Sequence, residues 1–263
     1  MNKNSNIYII VYSAIMVVVV AVLLAFAALS LKGPQEANVR IEKMSAILAS
    51  IGKGEEAAKA KDKTAYVTAE YEKYITESYC VDTRGDKVEG VDAFAQLDDL
   101  KAEYAKPAEA RALPVFISND GGVVRYIFPV WGVGLWGPVW GYVALEADLN
   151  TIYGASFDHK GETPGLGAEI TTPDFTEQFK AKTLFEGGKF VSVTVLKGAG
   201  ASEGDPHAVD AISGGTITSR GVEAMLRDCL TDYLPFIEKQ RVAVEQEEPT
   251  SADPEADGQT INE

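Results

Sequence analysis

The chain has 263 residues, of which 46% are apolar and 24% are charged, and this composition argues against a disordered or fibrous protein. Its 24 Lys and Arg against 39 Asp and Glu give a formal net charge of −15, which argues against a nucleic-acid partner because phosphate binding needs positive charge. Two cysteines and two histidines are too few for a disulfide framework or a His/Cys metal site.

The first element is an apolar segment long enough to cross a lipid bilayer. Residues 7–31 carry no charged side chain. As a helix rising about 1.5 Å per residue they extend about 37 Å, more than the ~30 Å of a hydrocarbon core. The alternative is a cleaved signal peptide with Ala25-Phe26-Ala27 near its cleavage site, but such apolar regions have only about 7–15 residues. We predict a short segment at 1–6 and a transmembrane helix at 7–31. Basic residues flank both of its ends, so the positive-inside rule leaves the orientation open.

A stalk is predicted next, at 32–62. Its apolar residues follow the spacing of one helical face: Val39, Ile41, Met44, Ile47, Leu48 and Ile51. Gly52 and Gly54 end the regular part of this helix. A second helix is predicted at 64–79.

The centre of the chain has the pattern of a sheet. Runs of β-branched and aromatic residues predict strands at 115–117, 123–130, 141–147, 149–157 and 190–196. Asp120-Gly121-Gly122 is a favoured hairpin connection between the first two. Thr172 followed by Pro173 predicts a helix to about 185. The last helix is predicted at 218–237, with a buried face formed by Val222, Met225, Leu226, Cys229, Leu230, Tyr233 and Leu234. This order predicts an α+β domain over 63–243, with a mainly antiparallel sheet flanked by helices.

The end of the chain is acidic. From Glu245 to Glu263 it has no Lys or Arg, seven carboxylates and almost no large apolar residue. Such a segment buries too little surface to offset the entropy of ordering, and we predict a disordered tail at 244–263.

Three Gly-rich stretches carry the functional signal: residues 131–140 with three tryptophans, residues 161–167, and residues 210–219 at the start of the last helix. A helix N-terminus preceded by small residues can bind a phosphate group, and Trp and Leu can pack against a planar group. Each stretch alone is also compatible with an ordinary cap or turn.

The third stretch, Asp210-Ala-Ile-Ser-Gly-Gly-Thr-Ile-Thr-Ser219, resembles the flavin-attachment motif D-x-x-[ST]-G-A-T-x-[ST]-S of bacterial respiratory FMN-binding domains. Together with Gly134-Leu135-Trp136 and Gly161–Gly167, it resembles the C-subunits of the sodium-translocating NADH:quinone oxidoreductases from about residue 130 to 230. One departure is Gly215, which stands where the motif has alanine; a smaller residue is sterically tolerable.

The resemblance implies an FMN joined through its phosphate to Thr216 by a flavin transferase that requires magnesium and FAD. Asp210 is then expected to position or activate the hydroxyl, and the helix N-terminus to favour the anionic phosphodiester. Thr218 is the alternative acceptor, although we expect it to cap the helix.

The resemblance also implies that Leu135 and Trp136 flank the isoalloxazine ring and that Glu162, Thr163 and Leu166 line its edge. Lys197 either places positive charge near the flavin or is a solvated turn residue. The implied FMN-binding set is completed by Asp210, Ser213, Gly214, Gly215, Ile217 and Thr218. No catalytic residue and no metal ligand is expected.

The function implied is a membrane-anchored flavoprotein subunit that relays electrons in a respiratory complex coupling NADH:quinone oxidoreduction to Na+ export. Its domain is expected on the outer, periplasmic face of the inner membrane, in contact with other subunits. The G-subunits of the ferredoxin:NAD oxidoreductase complexes are an alternative with the same anchor, motif and cofactor. An anchored binding or adhesion module, in which the Gly-rich loops are only turns, is an alternative from another class.

Overall fold

The structure is a computed structural model that describes residues 6–247. The helices are α1 (Asn6–Ser50), α2 (Lys63–Tyr74), α3 (Ala93–Gln96), α4 (Leu100–Ala105), α5 (Pro173–Thr176) and α6 (Thr216–Glu247). The strands are β1 (Ile75–Val81), β2 (Lys87–Val88), β3 (Leu113–Asp120), β4 (Val123–Val133), β5 (Pro138–Leu145), β6 (Ile152–His159), β7 (Phe185–Glu186), β8 (Lys189–Phe190), β9 (Thr194–Leu196) and β10 (Ala208–Asp210).

A six-stranded antiparallel sheet forms the centre of the domain, in the order β2-β1-β3-β4-β5-β6. The predicted hairpin is confirmed: β3 and β4 are joined through Gly121 and Gly122, whose φ angles of 62° and 97° favour glycine. A small parallel pair, β9 with β10, lies outside this sheet and pairs Leu196 with Asp210. The α+β fold class with a mainly antiparallel sheet is therefore confirmed.

Opposite faces of the sheet are covered by the two long helices. Successive residues of a strand point to opposite faces. In β4, Ile127 is buried in the cluster that contains α1 and α2, whereas Phe128 is buried in the cluster that contains α6. The Tyr233 hydroxyl on α6 donates to the carbonyl oxygens of Pro114 and Pro129, at 2.9 and 3.3 Å. These hydrogen bonds fix α6 across β3 and β4.

Helix α1 is continuous from the apolar segment into the domain. Its apolar part is long enough to cross a membrane and is not buried in the protein. Further along, Met44, Ile47 and Leu48 are buried against the sheet, so this part of the predicted stalk packs within the domain. Val39, which was expected on the same face, is exposed. Our domain boundaries remain predictions.

Helix α6 has the face that the sequence predicts. Six of the seven expected residues are buried, and Leu234 packs against the same cluster while partly exposed. The helix begins two residues before the predicted start and extends well beyond residue 237. The predicted acidic tail from residue 248 onward lies outside the described residues, as does the predicted N-terminal segment up to residue 5.

Three predicted elements differ from the structure. The helix predicted at 64–79 ends at Tyr74, because the chain from Ile75 onward pairs with β3 as a strand. The helix predicted to reach 185 is a single helical turn followed by a 3-10 turn that ends at Phe179. Ala181 then adopts a φ of 60°, which a right-handed helix does not allow, so the helix cannot continue. The strand predicted at 190–196 is interrupted at Ser192, which has a φ of 62°.

Candidate functional site

The candidate site is built on the N-terminus of α6. Thr216 is the first helical residue, and the preceding turn contains Gly214 at a φ of 74°. The Ser219 hydroxyl accepts a hydrogen bond from the Ile212 N–H at 3.1 Å and donates to the Gly215 carbonyl at 3.0 Å. This side chain closes the loop before the helix. The first N–H groups of any helix lack intrahelical partners, so the end of α6 suits an anion.

The two threonines of the first turn lie in different environments. Thr216 is half-buried, whereas Thr218 is 1% exposed and donates its hydroxyl proton to Glu162 Oε2 at 2.6 Å. Our prediction that Thr218 caps the helix is therefore wrong. The local sequence concealed this contact because Glu162 lies 56 residues earlier in the chain.

Glu162 brings the three Gly-rich stretches together. It belongs to the second stretch, its Oε1 atom accepts from the Trp136 N–H of the first at 2.8 Å, and its Oε2 atom binds Thr218 of the third. Its own N–H donates to Nδ1 of His159 at 3.2 Å. The sequence predicted that these stretches share a site, and a single buried carboxylate joins them.

The second stretch forms a tight turn against the start of α6. The Thr163 carbonyl accepts from the Leu166 and Ala168 N–H groups, both at 3.1 Å, while the Thr163 side chain is exposed. This turn brings Leu166 onto Gly214, where a Cβ atom would lie 2.5 Å from Leu166 Cδ2. Close approach and positive φ together require glycine at 214.

Four large apolar side chains around this helix end are exposed. Leu135 is 48%, Trp136 70%, Leu166 41% and Ile217 61% exposed. Ser213 and Gly214 are exposed in the same turn. Exposed apolar side chains that adjoin an anion-binding helix end fit a large, planar, apolar group that carries a phosphate. The exposed members of the expected FMN set and the start of α6 therefore have the chemistry that FMN requires.

Asp210 holds a neighbouring loop. Its carboxylate accepts hydrogen bonds from the Gly200 N–H and, at 2.8 Å, from the Ser202 N–H. Burial raises the pKa of this carboxyl, but hydrogen bonds from Ser202 and from the backbone N–H groups of residues 200–202 outweigh it, and the net pKa is lowered. Asp210 thus fixes the loop that precedes β10, and its action on the Thr216 hydroxyl remains a prediction.

Lys197 follows β9 directly and is exposed. Because β9 and β10 are parallel, their carboxyl ends meet at one edge, so Lys197 lies at the edge where the chain leaves Asp210 for the motif loop.

Both thiols are buried, and burial raises the pKa of Cys80 to about 12 and of Cys229 to about 11. Residues 6–247 contain no group of three or more His, Cys, Asp or Glu that could hold a metal ion.

Comparisons with known proteins agree with this geometry. A family model described as FMN-binding domain matches residues 134–231. The Na(+)-translocating NADH-quinone reductase C-subunit of Pseudomonas aeruginosa is 32% identical over 244 residues, covering 86% of this chain and 91% of the relative. The corresponding protein of Vibrio campbellii is 31% identical and covers 85% of this chain and 90% of its own length.

Two solved structures have the same fold. The crystal structure of the Na(+)-translocating NADH-quinone reductase C-subunit from Parabacteroides distasonis matches with a TM-score of 0.68 and 43% identity, over 79% of this chain and 96% of that one. Shewanella oneidensis NqrC matches with a TM-score of 0.63 and 29% identity, over 77% of this chain and 98% of that one.

Proposed function

Because the chain belongs to the family of the Na(+)-translocating NADH-quinone reductase C-subunits, we propose that it is a membrane-anchored flavoprotein that relays electrons through FMN bound covalently to Thr216. The complex that contains it couples NADH:quinone oxidoreduction to Na+ export. Helix α1 anchors the protein in the lipid bilayer of the inner membrane, with the folded domain on the outer face beside the other subunits. When bound, FMN supplies one- and two-electron redox chemistry.

The single observation that supports Thr216 as the attachment site is the contrast between Thr216 and Thr218. The half-buried Thr216 hydroxyl is available at the helix end, whereas the Thr218 hydroxyl is buried and donates to Glu162. A phosphoester at Thr216 places its negative charge at the positive end of the α6 dipole. The same ester at Thr218 would require a charged phosphate in the protein interior, which is costly.

Attachment is a phosphoryl transfer from FAD. The Thr216 Oγ1 atom forms a bond to the flavin-side phosphorus, the P–O bond of the pyrophosphate breaks, and AMP leaves. The hydroxyl proton passes to a base of the transferase. The backbone N–H groups at the start of α6 would hold the phosphate, and Leu135, Trp136, Leu166 and Ile217 would supply apolar surface for the flavin ring.

The experiment is to express the full chain together with its flavin transferase and to illuminate a denaturing gel. We expect a fluorescent band for the wild type and for Thr231→Val, a substitution at an exposed threonine further along α6, and no fluorescence for Thr216→Val. Fluorescence that persists in Thr216→Val would contradict the acceptor. A dark wild-type band, with the transferase shown to be active on another substrate protein, would contradict covalent attachment.

A further inference from the structure

The Glu162 carboxylate is enclosed by protein. The residue is 4% exposed, and both of its oxygens already accept hydrogen bonds. Gly134 and Gly167 make room for the carboxylate because they lack side chains. A Cβ atom on Gly134 would lie 2.6 Å from Oε1 of Glu162, and one on Gly167 would lie 2.6 Å from Oε2. Both oxygens of this carboxylate are therefore held by protein donors at an enclosed position. The edge-lining role expected for Glu162 stays a prediction.

The charge of Glu162 is not compensated by an ion pair. One of its oxygens accepts from the Trp136 N–H and the other from the Thr218 hydroxyl. Across residues 6–247 no Lys, Arg or His side chain forms a salt bridge with it. Its electrostatic partner is the N-terminal end of α6, because Thr218 lies in the first turn of that helix.

We infer that Glu162 is a positioning residue that links the Trp136 loop to the first turn of α6 and would place a buried negative charge within the site proposed for the flavin. This inference rests on the proposed function. Through Trp136 and Thr218 the carboxylate fixes the spacing between the apolar loop and the helix end that presents Thr216. Since reduction adds negative charge to the flavin, a fixed negative charge nearby disfavours it and lowers the midpoint potential.

Two substitutions separate geometry from charge. In Glu162→Gln the side-chain oxygen still accepts from the Trp136 N–H, and the amide donates to the Thr218 hydroxyl, so the link persists without its charge. In Glu162→Ala the Trp136 N–H and the Thr218 hydroxyl lose their acceptor, and the loop is released. Asp174→Asn is the matched control, because it removes an exposed carboxylate from α5, the helix that follows the same turn.

The full chain is coexpressed with the transferase, and in-gel fluorescence and the flavin midpoint potential are measured for each variant. We expect Glu162→Gln to be labelled like the wild type with a more positive potential, and Glu162→Ala to lose most of its labelling. Asp174→Asn should match the wild type in both. An unchanged potential in Glu162→Gln would refute the charge effect, and full labelling of Glu162→Ala would refute the positioning role.

A second readout does not depend on the flavin. In a Thr216→Val background, which is expected to carry no label, the emission of Trp136 is obtained by subtracting the spectrum of the Trp136→Phe chain. Glu162→Ala should shift this emission to longer wavelength, and Glu162→Gln should leave it unchanged. If the wild type is unlabelled but only Glu162→Ala shifts the emission, the proposed function is overturned and the link from Glu162 to Trp136 and Thr218 is kept. If the emission is identical in both variants, the link itself is overturned.

Discussion

Helices α1 and α6 cover opposite faces of one sheet, yet their apolar residues are distributed differently. In α1 the residues up to Leu31 are uncharged, mostly apolar and almost all exposed, and only from Ile41 onward are the apolar residues confined to a buried face. In α6 the buried residues form one stripe from Val222 to Ile237. A uniformly apolar helix suits lipid and a striped helix suits protein, so α1 changes its surroundings along its length while α6 does not.

The functional consequences of the two helices also differ. The packed part of α1 joins the domain to the segment that we assign to the membrane. Helix α6 instead begins at the site, where its first turn contains the half-buried Thr216 and the buried Thr218. In the proposed function one helix therefore connects the domain to its anchor, and the other positions the hydroxyl that we propose as the flavin acceptor. Substitutions at matched positions of each helix can test this division.

The largest effect is expected within α1. Leu48→Ala removes a fully buried side chain and should lower the free energy of unfolding of the domain by about 3 kcal/mol. Leu24→Ala, at a residue that is 65% exposed, should change it by less than about 0.5 kcal/mol. Denaturant unfolding of the full chain in detergent, followed by near-UV circular dichroism, measures both. Equal losses would contradict the distinction between the two parts of α1.

A smaller effect is expected at the helical glycines. Gly221 on α6 packs against strand β4, and a Cβ there would lie 2.5 Å from the Val133 carbonyl oxygen, a backbone atom that cannot rotate away. Gly221→Ala should cost about 2 kcal/mol and reduce flavin labelling by displacing the loop after Val133. Gly33→Ala on α1 is the control, since nothing lies within 4 Å of the new Cβ. Thermal unfolding and in-gel fluorescence are the measurements; wild-type values for Gly221→Ala would show that α6 packs less closely on β4 than described.

The smallest effect is expected at Gly215, where the attachment motif of the family has alanine. A Cβ there would lie 2.9 Å from the Leu166 carbonyl oxygen and 3.0 Å from Ile212 Cγ2, so the turn must shift by a few tenths of an ångström. Gly215→Ala should retain labelling and cost less than about 1 kcal/mol. Quantitative in-gel fluorescence against the wild type tests this, and a dark band would mean that the chain depends on its departure from the motif.

The sequence was sufficient where local pattern decides structure. The stripe on α6, the Asp120-Gly121-Gly122 hairpin and the uncharged run in α1 each follow from residues within one element. Prediction from the sequence failed where contacts between residues far apart in the chain decide the structure. Ile75 became part of a strand because β3 pairs with it, and Thr218 does not cap α6 because Glu162, far away in the chain, binds its hydroxyl. The motif predicted which stretches form the site but not the buried carboxylate that joins them.

The most direct test of the account is peptide mass spectrometry of the full chain purified from membranes that also contain its transferase. We predict that the peptide containing Thr216 is heavier by the mass of FMN less one water, and that fragmentation assigns the added mass to Thr216. An unmodified peptide, or an added mass on Thr218, would contradict the account.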